Sequence, residues 1–171
     1  LNRSSGVPFL PGNTLALAPW LLAWHEPAAV RRMWFHTNDE YLDSLSGQEF
    51  PQPPLVFLAR GRGLNVYALG SDERPTPDTP LFLPPYFNTF ANAAVCLGST
   101  QLPDSLQPGD QAAYVEGFFK SAFTHVGNSN PVRGWEHSYG QFWQHVKELG
   151  RFPTEHLRPT NDTLGSVLDG R

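Results

Sequence analysis

The sequence predicts an α+β domain in which an antiparallel β-meander leads into a loop-rich segment and then into packed helices. Three observations carry this. Apolar runs of strand length, separated by turn formers, fill the first half of the chain. Two later stretches place apolar residues at helical spacing. Strands and helices also come in separate blocks, the pattern of an α+β domain. The 171 residues suit one domain, and at that length roughly 70% of the unfolded chain's surface can be buried.

Residues 1–13, LNRSSGVPFLPGN, are rich in turn formers and are expected to be a loose lead-in. That leaves 14–171 as a single domain with a Pro-rich C-terminal tail. Residues 20–24 and 30–35 read as two strands joined by the HEPAA turn, with an amphipathic helix as the competing reading of the second run. TNDEYLDSLSG offers Thr37 or Asn38 as an N-cap, acids in the first turn and a stop at Gly47, which makes a short helix. PPLVFLARGRGLNVYALGS is a β-hairpin over 55–59 and 64–69, with Gly61 and Gly63 supplying the positive φ of a tight reversal. Arg60 and Arg62 read as a solvated turn.

DERPTPDTP is a stiff polar loop, and LFLPPYFN is a short strand running into a Pro-Pro stop. GSTQLPDSLQPGDQ is a second irregular stretch. DQAAYVEGFFKSAFTH then has Ala112, Val115, Phe118, Phe119, Ala122 and Phe123 on one helical face, with Asp110 as N-cap. EHSYGQFWQHVKEL is a second helix, with Tyr139, Phe142, Trp143, Val146 and Leu149 on one side, ending at Gly150. The tail RFPTEHLRPTNDTLGSVLDGR is expected to be mostly irregular.

Composition narrows the function. The hydrophobic fraction of 40% and aromatic fraction of 13% argue against disorder. Charged residues make up 16%, below the usual ~25%, so much of the surface is neutral or apolar and suits docking to other proteins. The formal net charge is −4 and there is no Lys/Arg run, which leaves nucleic-acid binding without electrostatic support. LALAPWLLAW is interrupted by Pro19 and too short to span a bilayer. The chain opens at Leu1 with Met33 as its sole methionine, so a preceding residue or segment is expected to have been removed. One cysteine, Cys96, makes no internal disulfide and no zinc pattern, which favours a reducing compartment such as the cytoplasm. His25, His36, His137, His145 and His156 read as core or surface residues, with His137 and His145 two turns apart on one helix. The tryptophans read as core unless exposed, in which case they mark a partner surface.

The one thiol lies in FNTFANAAVCLG, and by residue type alone Cys96 is either a small core hydrophobe or a nucleophile at a strand-to-loop exit. The longer stretch PPYFNTFANAAVCLG resembles the active-site segment of ubiquitin-conjugating enzymes, the UBC fold. That family carries an H-P-N tripeptide, a short loop, then a hydrophobic residue, the nucleophilic cysteine and a leucine. Asn88 and Cys96 are eight positions apart, as in the family, and Val95 and Leu97 flank the thiol. More particularly, PPLVFLARGRGLNVYAL, ERPTPDTPL, VCLG and FFKSAFTH resemble protein B of the PRTRC cassettes, a prokaryotic UBC-like family (family D), over residues 53–125. The chain departs from the eukaryotic pattern at Tyr86 and Phe87, which replace His and Pro, at Gly98, which replaces an Asp, and in having no counterpart of the long N-terminal helix.

The resemblance implies a thioester carrier with no metal or organic cofactor. Cys96 would accept a ubiquitin-like protein from a ThiF-like activating enzyme and pass it to an amine, in a pathway that also holds a JAB-type peptidase. Asn88 would donate to the oxyanion or brace its loop; as a plain sequence feature it is an Asx-turn residue. In HVGNSNP, where the family's acidic gate loop would fall, His125 is the only titratable candidate; with Asn128 and Asn130 it is expected at the end of the first long helix, beside the thiol or capping the helix C-terminus. Two rival readings are a catalytically silent UBC-like binding module and, less well supported for want of a third orienting group, a cysteine hydrolase using Cys96 with His125.

Overall fold

A computed structural model describes residues 9–98, 100–125 and 131–170. In chain order the elements are β1 (Thr14–Ala18), β2 (Leu21–Glu26), β3 (Ala29–Arg32), β4 (Trp34–Phe35), α1 (Glu40–Ser44), β5 (Glu49–Gln52), β6 (Leu55–Arg60), β7 (Gly63–Ala68) and β8 (Pro80–Leu83). After the cysteine come α2 (Gln111–Lys120), β9 (Ala122–Phe123), α3 (Tyr139–Leu149), β10 (Arg158–Thr163) and α4 (Leu164–Leu168). Six strands form one antiparallel sheet in the order β1-β2-β6-β7-β8-β10. β3 pairs antiparallel with β5, and β4 pairs parallel with β9. This is the α+β, UBC-like architecture the sequence predicts.

The sheet is covered on both faces, which is why its central strands read as unbroken apolar runs rather than alternating ones. Along β6, Leu55, Phe57 and Ala59 face a large core with α2 and α3, while Val56 and Leu58 face a smaller one completed by Leu164 and Val167 of α4. Trp24 stacks on Phe57 at 5.2 Å, and Tyr86 stacks on both Phe123 and Trp143, at 5.7 and 6.1 Å. Trp24 and Trp143 are thus core residues, whereas Trp20 and Trp34 are exposed.

The hairpin forms as expected, with Arg60 paired to Gly63 across a two-residue turn. Positive φ is needed at Gly61 (φ 54); Gly63 instead begins β7. Arg60 is not simply solvated: its guanidinium donates to the carbonyls of Val167 and Leu168 and so caps α4. α3 begins with a Ser138–Gln141 capping box and ends at Gly150 in the left-handed conformation (φ 71). α1 is capped by Asp39, whose carboxylate accepts from the Tyr41 and Leu42 N–H groups; Thr37 uses its hydroxyl to donate to Asp43 instead.

Other expectations fail for identifiable reasons. Pro19 and Trp20 make a turn rather than a break, so 14–18 and 21–26 form a hairpin and the strand after HEPAA pairs with β5. α2 stops at Lys120, because Ser121 turns extended (ψ 137) and Ala122–Phe123 joins β4. Phe123 reaches the core equally well from a strand, so the apolar spacing does not reveal the switch. Asp110 makes no side-chain cap on α2; its carboxylate accepts from Ser105 and from the Gln107 N–H in the preceding turn. The C-terminal segment is not irregular, since β10 is an edge strand, where Pro159 is tolerated, and α4 covers the outer face of the sheet. No helix among the described residues is long and apolar enough to cross a membrane.

Candidate active site

The eight-residue spacing between Asn88 and Cys96 is a loop closure. The Cys96 N–H donates to the Asn88 carbonyl at 2.7 Å, and Thr89 bridges to Val95 one step inside. The loop is fixed to β7 by the Val66 N–H on the Ala93 carbonyl (3.0 Å), the Val95 N–H on the Leu64 carbonyl (2.8 Å) and the Asn65 amide on the Asn92 carbonyl (3.1 Å). Two non-glycine residues take positive φ to close it, Asn88 (59°) and Ala93 (61°); asparagine tolerates that region better than most residues. Val95 and Leu97 pack on the core, and Cys96 between them is half-buried and lines a cleft. The thiol is therefore not a sealed core residue.

The cleft encloses about 580 Å³. One wall is the segment Asn88, Cys96, Leu97, Thr100 and Gln101, and the other is Glu116, Gly117 and Lys120 of α2, with Thr124 and His125 at one end. The walls meet where the Thr100 and Ser121 hydroxyls bond at 2.7 Å. The close approach depends on Gly117, where a Cβ would stand 2.7 Å from the Gln101 carbonyl oxygen.

The Asn88 amide ties the loop to the strand leaving α2. Its Nδ2 donates to the Ala122 carbonyl at 2.8 Å, and its Oδ1 accepts from the Thr124 N–H (3.0 Å), the Thr124 hydroxyl (3.2 Å) and the His125 N–H (3.2 Å). The structure thus brings Asn88, Cys96 and His125 to one cleft. His125 does not sit on the helix end and does not cap it. It follows β9, is exposed, and shares a 3.0 Å hydrogen bond between its Nδ1 and the Thr124 hydroxyl. Asn128 and Asn130 lie outside the described residues.

The residues that replace the family's His and Pro are structural. Tyr86 is fully buried, its hydroxyl donates to Gln52 Oε1 at 2.8 Å, and desolvation pushes its pKa well above the usual tyrosine value, so it stays neutral. Phe87 stacks on Tyr139 at 4.2 Å. Both pack behind the loop as core.

Sequence reasoning missed Glu116, Gly117, Lys120 and Thr124. A glycine inside an otherwise helical pattern was the available signal, since it marks a close backbone approach. Glu116 and Lys120, four residues apart, pair at 2.5 Å and border both this cleft and the neighbouring groove lined by Val30, Arg32 and Phe119. Elsewhere, His137 precedes α3 rather than lying on it, and His137, His145 and His156 all contact the Trp135 ring. Among the described residues no group of three His, Cys, Asp or Glu side chains is placed to hold a metal ion.

Comparison with known proteins agrees with the geometry. No curated protein and no solved structure matches the chain. One family model matches, that of prokaryotic E2 family D, over residues 2–160. The match runs through the closed Asn88–Cys96 loop, both walls of the cleft and the sheet beneath them, and the chain accordingly belongs to prokaryotic E2 family D, a UBC-like family.

Proposed function

We propose that the protein is a thioester carrier in ubiquitin-like conjugation. Cys96 accepts the C-terminal acyl group of a ubiquitin-like protein from a ThiF-like activating enzyme and transfers it to an amine. The observation that carries this reading is the closed 88–96 loop, which holds the one thiol of the chain at a cleft shared with an amide and an imidazole. The reading extends to a PRTRC-type setting in the reducing cytoplasm, in a pathway with a JAB-type peptidase, and to surface docking of the protein partners, for which the exposed Trp20 and Trp34 are available.

The chemistry is two exchanges at one sulfur. The thiolate attacks the incoming thioester carbonyl and expels the activating enzyme's thiolate; an amine then attacks the Cys96 thioester and expels Cys96. A thiolate is both a good nucleophile and a good leaving group, so no Ser-His-Asp arrangement is needed. Both steps place negative charge on the carbonyl oxygen. An amide nitrogen carries two N–H groups; in Asn88 one holds Ala122, and the other is the candidate oxyanion donor. His125, exposed and lining the same cleft as Cys96, is the candidate acceptor of the amine's proton.

A second reading is a catalytically silent binding module. It is favoured by the hydrogen bonds of Asn88, which spend its side chain on bracing residues 122–125. Mixing the protein with its activating enzyme, the ubiquitin-like protein and ATP, then comparing non-reducing and reducing gels, separates the two. The carrier gives a band that reductant removes; the module gives none yet still binds.

A further inference from the structure

Thr124 joins Asn88 to His125. Its hydroxyl stands 3.2 Å from Asn88 Oδ1 and 3.0 Å from His125 Nδ1. A threonine hydroxyl has one proton to donate and lone pairs to accept with, so the two contacts cannot both be donations. Asn88 decides which is which. Its Nδ2 donates to the Ala122 carbonyl, and its other side takes the Thr124 and His125 N–H groups. That side is therefore the amide oxygen, which only accepts, and the hydroxyl proton goes to it. Were the proton turned to His125 instead, Thr124 Oγ1 and Asn88 Oδ1 would face each other at 3.2 Å with no hydrogen between them. The Thr124 oxygen is left to accept, and its partner Nδ1 must carry a hydrogen. Neutral His125 then has its proton on Nδ1 and its lone pair on Nε2.

The surroundings keep the three residues in place. A β-branched threonine is stiff at χ1. The Asn88 N–H holds the His125 carbonyl, while Asn88 Oδ1 holds the Thr124 and His125 N–H groups. Among the described residues lining the cleft, the titratable side chains are Cys96, Glu116, Lys120 and His125, and Glu116 is paired with Lys120.

Resting on the carrier reading above, we infer that Thr124 is a positioning residue: it holds His125 with Nε2 as the basic atom, and Nε2 takes the proton of the attacking amine. The neutral amine attacks the Cys96 thioester carbonyl carbon. The C–N bond forms, and the C–S bond breaks with its electron pair staying on Cys96 Sγ. The nitrogen passes one proton to His125 Nε2, and the imidazolium passes it on to solvent. Nothing is oxidised or reduced. The Nδ1–H bond to Thr124 is kept whether Nε2 is bare or protonated, so proton uptake disturbs neither Asn88 nor the Cys96 N–H that the Asn88 carbonyl holds. The opposite tautomer would take its proton at Nδ1 and break the link to Thr124 in every turnover.

The test reads the tautomer directly. Nitrogen NMR of the isotope-labelled full chain at about pH 8, where histidine side chains are ordinarily neutral, should show His125 protonated on Nδ1, its signal assigned by its absence in His125→Gln. Thr124→Ser should keep that tautomer. Thr124→Val, which keeps the shape but removes the hydroxyl, should lose it. Cys96 is then charged from the 2-mercaptoethanesulfonate thioester of acetyl-Gly-Gly and discharged to L-lysine, followed by intact mass. Discharge should slow about tenfold in Thr124→Val, a part of the roughly 10²–10⁴ that a positioned base contributes, and Thr124→Ser should recover most of the rate. A parent His125 protonated on Nε2 overturns the inference with no variant needed, and so does an unchanged tautomer in Thr124→Val; both leave the carrier reading standing wherever Cys96 charges. A lost tautomer with unchanged discharge also overturns it, since Thr124 would then matter to structure alone. No thioester on Cys96 removes the carrier reading and the proton's route with it.

Discussion

Asn88 and His125 hold each other by a reciprocal pair of hydrogen bonds. The Asn88 N–H donates to the His125 carbonyl at 2.9 Å, and the His125 N–H donates to Asn88 Oδ1 at 3.2 Å. Since the Asn88 carbonyl also accepts from the Cys96 N–H, this one residue sets the cysteine and the histidine relative to each other.

Asn88→Ala is therefore expected to destabilise the fold and to disorganise the cleft. It removes four side-chain hydrogen bonds and puts alanine at φ 59, for a combined cost of about 2–3 kcal/mol. Asn88→Gly relieves the backbone but not the bonding and should recover about 1 kcal/mol of that. Urea unfolding of the three proteins gives both differences; equal stability of the alanine and glycine variants would show that the backbone at 88 is unstrained.

Gly117→Ala tests how the cleft is built. Its Cβ would meet the Gln101 carbonyl at 2.7 Å and the Leu102 side chain at 3.2 Å, so one wall must move. A loss of about 1–3 kcal/mol is expected, together with slower alkylation or charging of Cys96. Stability equal to that of the unsubstituted protein would show that the 100–102 segment yields freely.

Acid should weaken the fold partly through His25. Burial lowers its pKa below the usual 6.5, and the nearby Arg74 charge adds to this. The folded state thus resists a proton that the unfolded chain accepts. Stability from this residue is fully present above about pH 6.5 and is lost as pH falls through that value toward the lower folded pKa. Stability curves from pH 7.5 to 5.5 should be flatter for His25→Gln than for the parent protein; parallel curves would contradict the assignment.

Arg60→Ala should loosen α4. Both guanidinium hydrogen bonds end on carbonyls at the helix C-terminus, and their loss should cost about 1–3 kcal/mol. Hydrogen exchange should rise over 164–168 first. Uniform exchange change, or none, would mean that packing of Leu164 and Val167 alone holds the helix.

What was legible in the sequence followed from local chemistry. The RGRG hairpin and α3, with Gly150 behind it, each carry their own signal. The Asn88–Cys96 offset was visible as a motif, but its cause, a loop closed by a backbone hydrogen bond, was not. β1, β10 and α4 were hidden because each depends on a distant partner, and because Pro19 and Pro159 read as breaks when one is a turn and the other sits on a sheet edge. Glu116, Gly117 and Lys120 were missed because sorting a helix by its apolar residues describes the face turned to the core, whereas the cleft is made by the other face of α2.

The central claim, that Cys96 carries the acyl group, is tested most directly by changing one atom. With activating enzyme, ubiquitin-like protein and ATP, the parent protein should form an adduct that dithiothreitol removes, and Cys96→Ser should form one at residue 96 that dithiothreitol leaves intact. A labile adduct that persists in Cys96→Ser, or no adduct on either protein, would contradict it.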